Sequence, residues 1–82
     1  MVESYANLIA AVSANSAKLR KDIPEVMQGF NAMAQSASKA GALDAKTKEL
    51  IAMALSVGAR CDPCVGYHAK ALVKLGATRA EV

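Results

Sequence analysis

The stretch from Asp44 to Leu75, DAKTKELIAMALSVGARCDPCVGYHAKALVKL, reads as two helices joined by a tight turn. Its apolar residues recur at intervals of three and four rather than two, so strand signals are absent. Asp44 is suited to cap a helix running to about Ala59. The second half of that helix, LIAMALSVGA, is apolar nearly all round and is expected to be buried on most sides, with Gly58 permitting close packing. Asp62 and Pro63 then give an N-cap followed by a proline at the first helical position. The new helix continues to Leu75, and Gly76 stops it.

The same periodicity holds upstream. A first helix is predicted from about Ser4 to Arg20, with Tyr5, Leu8, Ile9, Val12 and Leu19 along one stripe. Asp22 is expected to restart the chain as an N-cap, with Pro24 in the first turn and Glu25 completing a capping-box pattern. The second helix carries Ile23, Val26, Met27, Phe30, Met33, Ala34 and Ala37 as a core stripe, and Gly41 is expected to end it in a left-handed cap. Downstream, Thr78 and Glu81 form another capping box and announce a fifth helix, although the sequence ends at Val82. The expectation is one all-α domain over residues 1–82, an antiparallel bundle of about four helices lacking its last helical segment.

Length and composition agree with this class and exclude others. A chain of 82 residues buries only a little over ~60% of its unfolded surface, so its core is marginal alone and help from a partner subunit is expected. With 54% hydrophobic residues, three aromatics and eighteen alanines, the apolar mass is finely divided, as suits closely approaching helices. The longest apolar run, Leu50 to Ala59, is half a membrane span and contains Ser56. Glu3, Asn7 and Asn15 break any signal-peptide pattern, which places the chain in the cytoplasm. The net charge of +3 invites a nucleic-acid reading, but only Lys18, Arg20 and Lys21 cluster, and no aromatic series accompanies them.

Glu49, Cys61, Cys64 and His68 carry the chemistry. Ten residues from Glu49 to Ala59 rise roughly 15 Å, and seven from Cys61 to His68 return roughly 10 Å, so a tight antiparallel turn sets His68 within about one turn of Glu49's level. Cys64 and His68 are i and i+4, neighbours on one helix face. Cys64, at the second position of its helix, gains from free N–H groups and the helix dipole, which favour thiolate. His68 can take the thiol proton directly or through water, Glu49 can orient the imidazole, and Arg60 adds a nearby positive charge. Cys61, just outside the helix and free to swing, is assigned as the resolving thiol. Such a pair supports attack on a peroxide O–O bond, a sulfenic acid, and condensation to a disulfide that an external dithiol resets.

Alternatives remain open at this level. Two thiolates, an imidazole and a carboxylate are also a legitimate zinc set, which would make the chain a non-catalytic assembly module with a zinc-binding or merely structural cysteine pair. Haem attachment is excluded because Val65, not histidine, follows Cys64. Tyr67 and Ser56 are read as packing residues, and Lys46, Lys48, Lys70 and Lys74 as solvated helix faces.

Residues 46–82, KTKELIAMALSVGARCDPCVGYHAKALVKLGATRAEV, resemble the core of the carboxymuconolactone decarboxylase superfamily in its alkylhydroperoxidase (AhpD-like) branch. The resemblance rests on the Glu, Cys-x-x-Cys, His spacing and on the flanking ALDAKTKELIA and LGATRAEV segments. It implies that Cys64 is the peroxide-reactive cysteine, Cys61 its partner, and Glu49 and His68 the proton relay. It further implies a trimer or a hexamer built from dimers, no bound cofactor or metal, and electrons supplied by a thiol or lipoyl-bearing protein. Decarboxylase members of the superfamily typically lack the cysteine pair, and a decarboxylation on a small carboxylated substrate would have to survive loss of both thiols. Pro63 stands where peroxidase members carry a second histidine. The family also continues past the position of Val82 into a further helical segment.

Overall fold

The computed structural model describes residues 4–82; Glu3 lies outside them. Four helices follow one another: α1 (Tyr5–Asp22), α2 (Pro24–Ser38), α3 (Ala45–Gly58) and α4 (Asp62–Lys74), with no strand among the described residues. The expected all-α fold is therefore observed. α3 and α4 form the most extensively packed pair, α1 lies along α4, and α2 touches α1 and the end of α3 more sparingly.

Helix starts follow side-chain chemistry in three of the four cases. Ser4 Oγ accepts the Asn7 N–H at 3.2 Å, and Asp44 Oδ1 accepts the Thr47 N–H at 2.7 Å. Hydrogen bonds from Thr47, side chain and backbone, hold the Asp44 carboxyl below its usual range. Cys61 caps α4. The fourth case departs from expectation, because Asp22 is the last residue of α1 and Ile23 occupies the cap of α2 without a side-chain hydrogen bond. Pro24, at the start of α2, supplies no N–H and fixes the turn by its restricted φ.

α2 also stops earlier than its pattern suggests, at Ser38 with Lys39 as C-cap, so Gly41 is not its left-handed terminator. Lys48 explains the stop: its Nζ donates to Ala37 O at 3.1 Å and to Lys39 O at 2.8 Å, satisfying carbonyls that the next turn would have used. This lysine is a C-terminal clamp on α2 rather than a solvated surface charge. Lys46 is likewise engaged, at 2.8 Å from Glu81 Oε2. Thr78 and Glu81 form the reciprocal capping box, at 2.7 and 3.2 Å, and residues 79–81 make a turn.

The core is small. Leu72 is the fully buried large side chain among the described residues, beside the buried Ser56, whose hydroxyl donates to Ala52 O at 2.7 Å. Gly66 sets the crossing of α1 on α4, since a Cβ there would lie 2.7 Å from Ile9 Cδ1. Gly58, expected to permit close packing, has open space around it. The α2 stripe is not core within one chain: Val26, Phe30 and Met33 are 62%, 56% and 64% exposed. Ile51, Leu55 and Val57 of α3 are exposed too, because one neighbouring helix and the end of another cannot wrap a helix that is apolar nearly all round.

Candidate active site

The turn between α3 and α4 fixes the cysteine pair. Past Ala59, Arg60 takes a left-handed conformation at φ 57°. Its N–H donates to Val57 O at 3.1 Å, and the Cys61 N–H reaches back to Ser56 O at 3.0 Å. These two bonds make the left-handed helix ending usually built on glycine, and an L-residue there costs about 1 kcal/mol. Cys61 is thereby tied to α3 through its N–H, while its C=O accepts the Val65 N–H at 3.0 Å as the first bond of α4.

This placement corrects the sequence-based start of α4 by one residue. Cys61, not Asp62, is the N-cap, Asp62 and Pro63 occupy the first two helical positions, and Cys64 is third. The Cys61 Sγ accepts the Cys64 N–H at 3.3 Å. Aspartate-proline is the stronger capping signal, and nothing in the residue types marked the preceding cysteine. The Cys61 backbone is bonded on both sides, and its side chain reaches Cys64: the two Cα atoms are 5.2 Å apart and the sulfurs are joined in a disulfide. Both cysteines are half-buried.

Across the hairpin, His68 Nδ1 and Glu49 Oε2 meet at 2.5 Å. The predicted level match between these helices is thus realised. A carboxylate only accepts, so the contact places a ring proton on Nδ1, and in the neutral ring Nε2 is then the accepting nitrogen. The glutamate side chain is 12% exposed and the histidine 33%, so the carboxylate is the shielded anchor and the imidazole the accessible member. His68 stands one helical turn beyond Cys64 on the same face of α4. No hydrogen bond joins His68 to either sulfur among the described residues.

The structure therefore gathers the four residues as two pairs. Among the described residues, no three His, Cys, Asp or Glu side chains converge on a point where one metal ion could sit. The donor set does not fit the zinc alternative in this arrangement. Beside the second pair lies an open cavity of about 260 Å³, lined by Glu49, His68, Lys48 and Ser38 on its polar side and by Ala37, Ile51, Ala52 and Leu55 on its apolar side. The cysteines are not among its lining residues.

Tyr67, next to His68, points the other way. Its hydroxyl lies 2.6 Å from Ser13 Oγ and donates to Ile9 O at 3.3 Å, bracing α1 against α4. The bland reading of Tyr67 as a packing residue is the one realised, with a polar anchor that periodicity alone does not reveal.

Residues 24–82 match the carboxymuconolactone decarboxylase family, and the chain belongs to that family. Two uncharacterized proteins are similar to it: one from Haemophilus influenzae, 42% identical over 65% of this chain and 47% of its own length, and one from Cupriavidus necator, 39% identical over 72% of this chain and 52% of its own. The chain thus spans about half the length of the curated relatives it matches. A crystal structure of an apo carboxymuconolactone decarboxylase family protein from Legionella pneumophila superposes with a TM-score of 0.91 at 52% identity, covering 94% of this chain and 69% of that one. The fold inferred from helical periodicity is therefore the fold of a solved family member.

Proposed function

We propose that this protein is a thiol-dependent peroxidase of the AhpD-like branch, reducing alkyl hydroperoxides through Cys64 and Cys61. The observation that carries the reading is the conjunction of a bonded Cys61–Cys64 pair at the start of α4 with a Glu49–His68 pair one turn along the same helix. In the forward half-reaction His68 accepts the Cys64 proton at Nε2. The thiolate then attacks the terminal peroxide oxygen, the O–O bond breaks, and the departing alkoxide takes up the proton from the imidazole. Glu49 holds the ring in the tautomer that this exchange requires. Cys61 condenses with the sulfenic acid, releasing water and leaving the disulfide.

Ala37, Ile51, Ala52 and Leu55 offer an alkyl chain an apolar surface beside His68. Pro63 offers no proton at the position where peroxidase members carry a second histidine, so proton delivery rests on Glu49 and His68 alone. An external dithiol, free or lipoyl-bound on a protein, returns the pair to its reduced form in the cytoplasm, and no bound cofactor or metal enters the cycle. The exposed apolar faces of α2 and α3 support assembly into a homo-oligomer, a trimer or hexamer. The formed Thr78–Glu81 box, at the edge of an apolar groove of about 680 Å³ lined by Leu50, Met53, Val57 and Val65, supports a further helical segment that completes the domain.

Steady-state hydroperoxide consumption tests the assignment. Cys64→Ser is expected to abolish it, and Cys61→Ser to stop after one turnover with a sulfenic acid on Cys64 that a dimedone-type probe labels. Undiminished consumption by Cys64→Ser contradicts the reading.

A further inference from the structure

The two sulfurs of the disulfide are served by different parts of the fold. Cys61 Sγ sits at the N-cap of α4 and accepts the Cys64 N–H at 3.3 Å, so negative charge on that sulfur is met by a backbone donor and by the positive end of the helix dipole. Cys64 Sγ makes no such bond among the described residues. It has instead the nearer proton acceptor, since His68 follows it by four residues and Cys61 by seven, one turn against two. Arg60 and Asp62 flank Cys61 with opposite charges, which leaves the helix end to distinguish the sulfurs. Both cysteines are half-buried, so access does not choose between them.

A disulfide opens in the direction that releases the better-stabilised thiolate. We infer that the reducing thiol attacks Cys64 Sγ and that Cys61 leaves, so the mixed disulfide with the reductant forms on Cys64. This rests on the redox reading of the pair and adds the direction of its return step. His68 Nε2 takes the proton of the incoming thiol, the new S–S bond forms at Cys64, and the old bond breaks with its electron pair on Cys61 Sγ, held by the Cys64 N–H. The second thiol of a dithiol reductant then attacks its own bonded sulfur, closes its disulfide and releases Cys64 as thiolate, which is protonated. Two electrons pass from dithiol to protein, and each bond broken is matched by one formed. The helix end thus serves Cys61 as the leaving sulfur, and His68 serves Cys64 as the sulfur that is attacked.

The test oxidises the full chain with diamide, so that it does not depend on hydroperoxide activity. The disulfide is then opened for seconds with glutathione, the mixture is quenched in acid, and the liberated thiol is capped with a maleimide. Tandem mass spectrometry of the tryptic peptide 61–70 places the two labels. Glutathione on Cys64 and maleimide on Cys61, in about ten-fold excess over the reverse, is the expected result. Glutathione mainly on Cys61, or an even split, overturns the inference. A disulfide that glutathione does not open overturns it as well, while leaving the peroxide half-reaction to be judged from hydroperoxide-driven disulfide formation in a parallel sample. Thiolate absorbance against pH gives an independent check: the single thiol of Cys64→Ser is expected to ionise at lower pH than that of Cys61→Ser, and the opposite order contradicts the account.

Discussion

The α3–α4 hairpin and the α1–α2 pair are built from helices of similar length, yet they are held in different ways. In the hairpin every helix end is closed by a specific hydrogen-bonding device: Asp44 at the start of α3, left-handed endings at Arg60 and Gly76, and Cys61 at the start of α4. In the N-terminal pair the junction is Ile23 alone, with no side-chain cap for α2, and much of the apolar stripe of α2 is left exposed. The pair is attached to the hairpin at a few points, the Gly66 crossing, the Tyr67 hydroxyl and the Lys48 clamp. The site therefore lies in the part fixed by local chemistry, and α1–α2 acts as a brace with an apolar face to spare.

The sharpest way to probe the hairpin is at Glu49. Glu49→Gln keeps the shape but replaces an acceptor-only carboxylate with a group that also donates, so the His68 tautomer is no longer fixed. Hydroperoxide-dependent oxidation of Cys64 is expected to slow by about a hundred-fold in stopped-flow measurements while helical circular dichroism is retained. An unaltered rate removes Glu49 from the relay.

Breaking the brace is the next largest effect. Gly66→Val drives a side chain into Ile9, and overpacking of this kind costs about 1–3 kcal/mol, read as a lower denaturation midpoint. A midpoint equal to that of the parent would mean that α1 does not seat on α4 as described.

The two left-handed endings differ only in residue type, φ 57° at Arg60 and φ 75° at Gly76. Arg60→Gly is expected to stabilise the chain by about 1 kcal/mol, because the conformation is one that glycine adopts without strain. Destabilisation instead would show that the arginine side chain contributes more than its backbone costs.

Acid titration gives the smallest effect. The Asp44 carboxyl is held below its usual range in the folded chain, first by the Thr47 side chain and then by the Thr47 N–H. A depressed folded value means that the cap stabilises α3 above the unfolded carboxylate range and that this contribution fades as pH falls through the folded value. Asp44→Asn should flatten that part of the melting temperature against pH; an unchanged slope would assign the acid sensitivity elsewhere.

What was legible in the sequence follows the same division. The Asp44 cap, the Gly76 stop, the Thr78–Glu81 box and the level match of Glu49 with His68 all depend on spacing of a few residues or on helix rise, and each is found. α4 starts one residue before its sequence signal, because cysteine is a weak capping signal beside Asp62 and Pro63. The left-handed Arg60 carries no residue-type signal at all. Burial along α2 and α3 is not legible in the sequence, since periodicity says which face is apolar but not whether a second element of the same chain covers it. The polar partners of Lys48 and Tyr67 are illegible for a related reason, since they lie on or beside other helices: Lys48 reads as solvated but clamps the end of α2, and Tyr67 reads as packing but also anchors its hydroxyl on α1.

The proposed peroxide-driven redox role of Cys61 and Cys64 is what separates them from a passive staple. Intact mass of the reduced, metal-free chain before and after one equivalent of an organic hydroperoxide, with helicity followed on the same sample, tests it most directly. Loss of two hydrogens is expected, mapped to a Cys61–Cys64 disulfide and formed much faster than a free thiol reacts. A folded chain that keeps both thiols unchanged would contradict it.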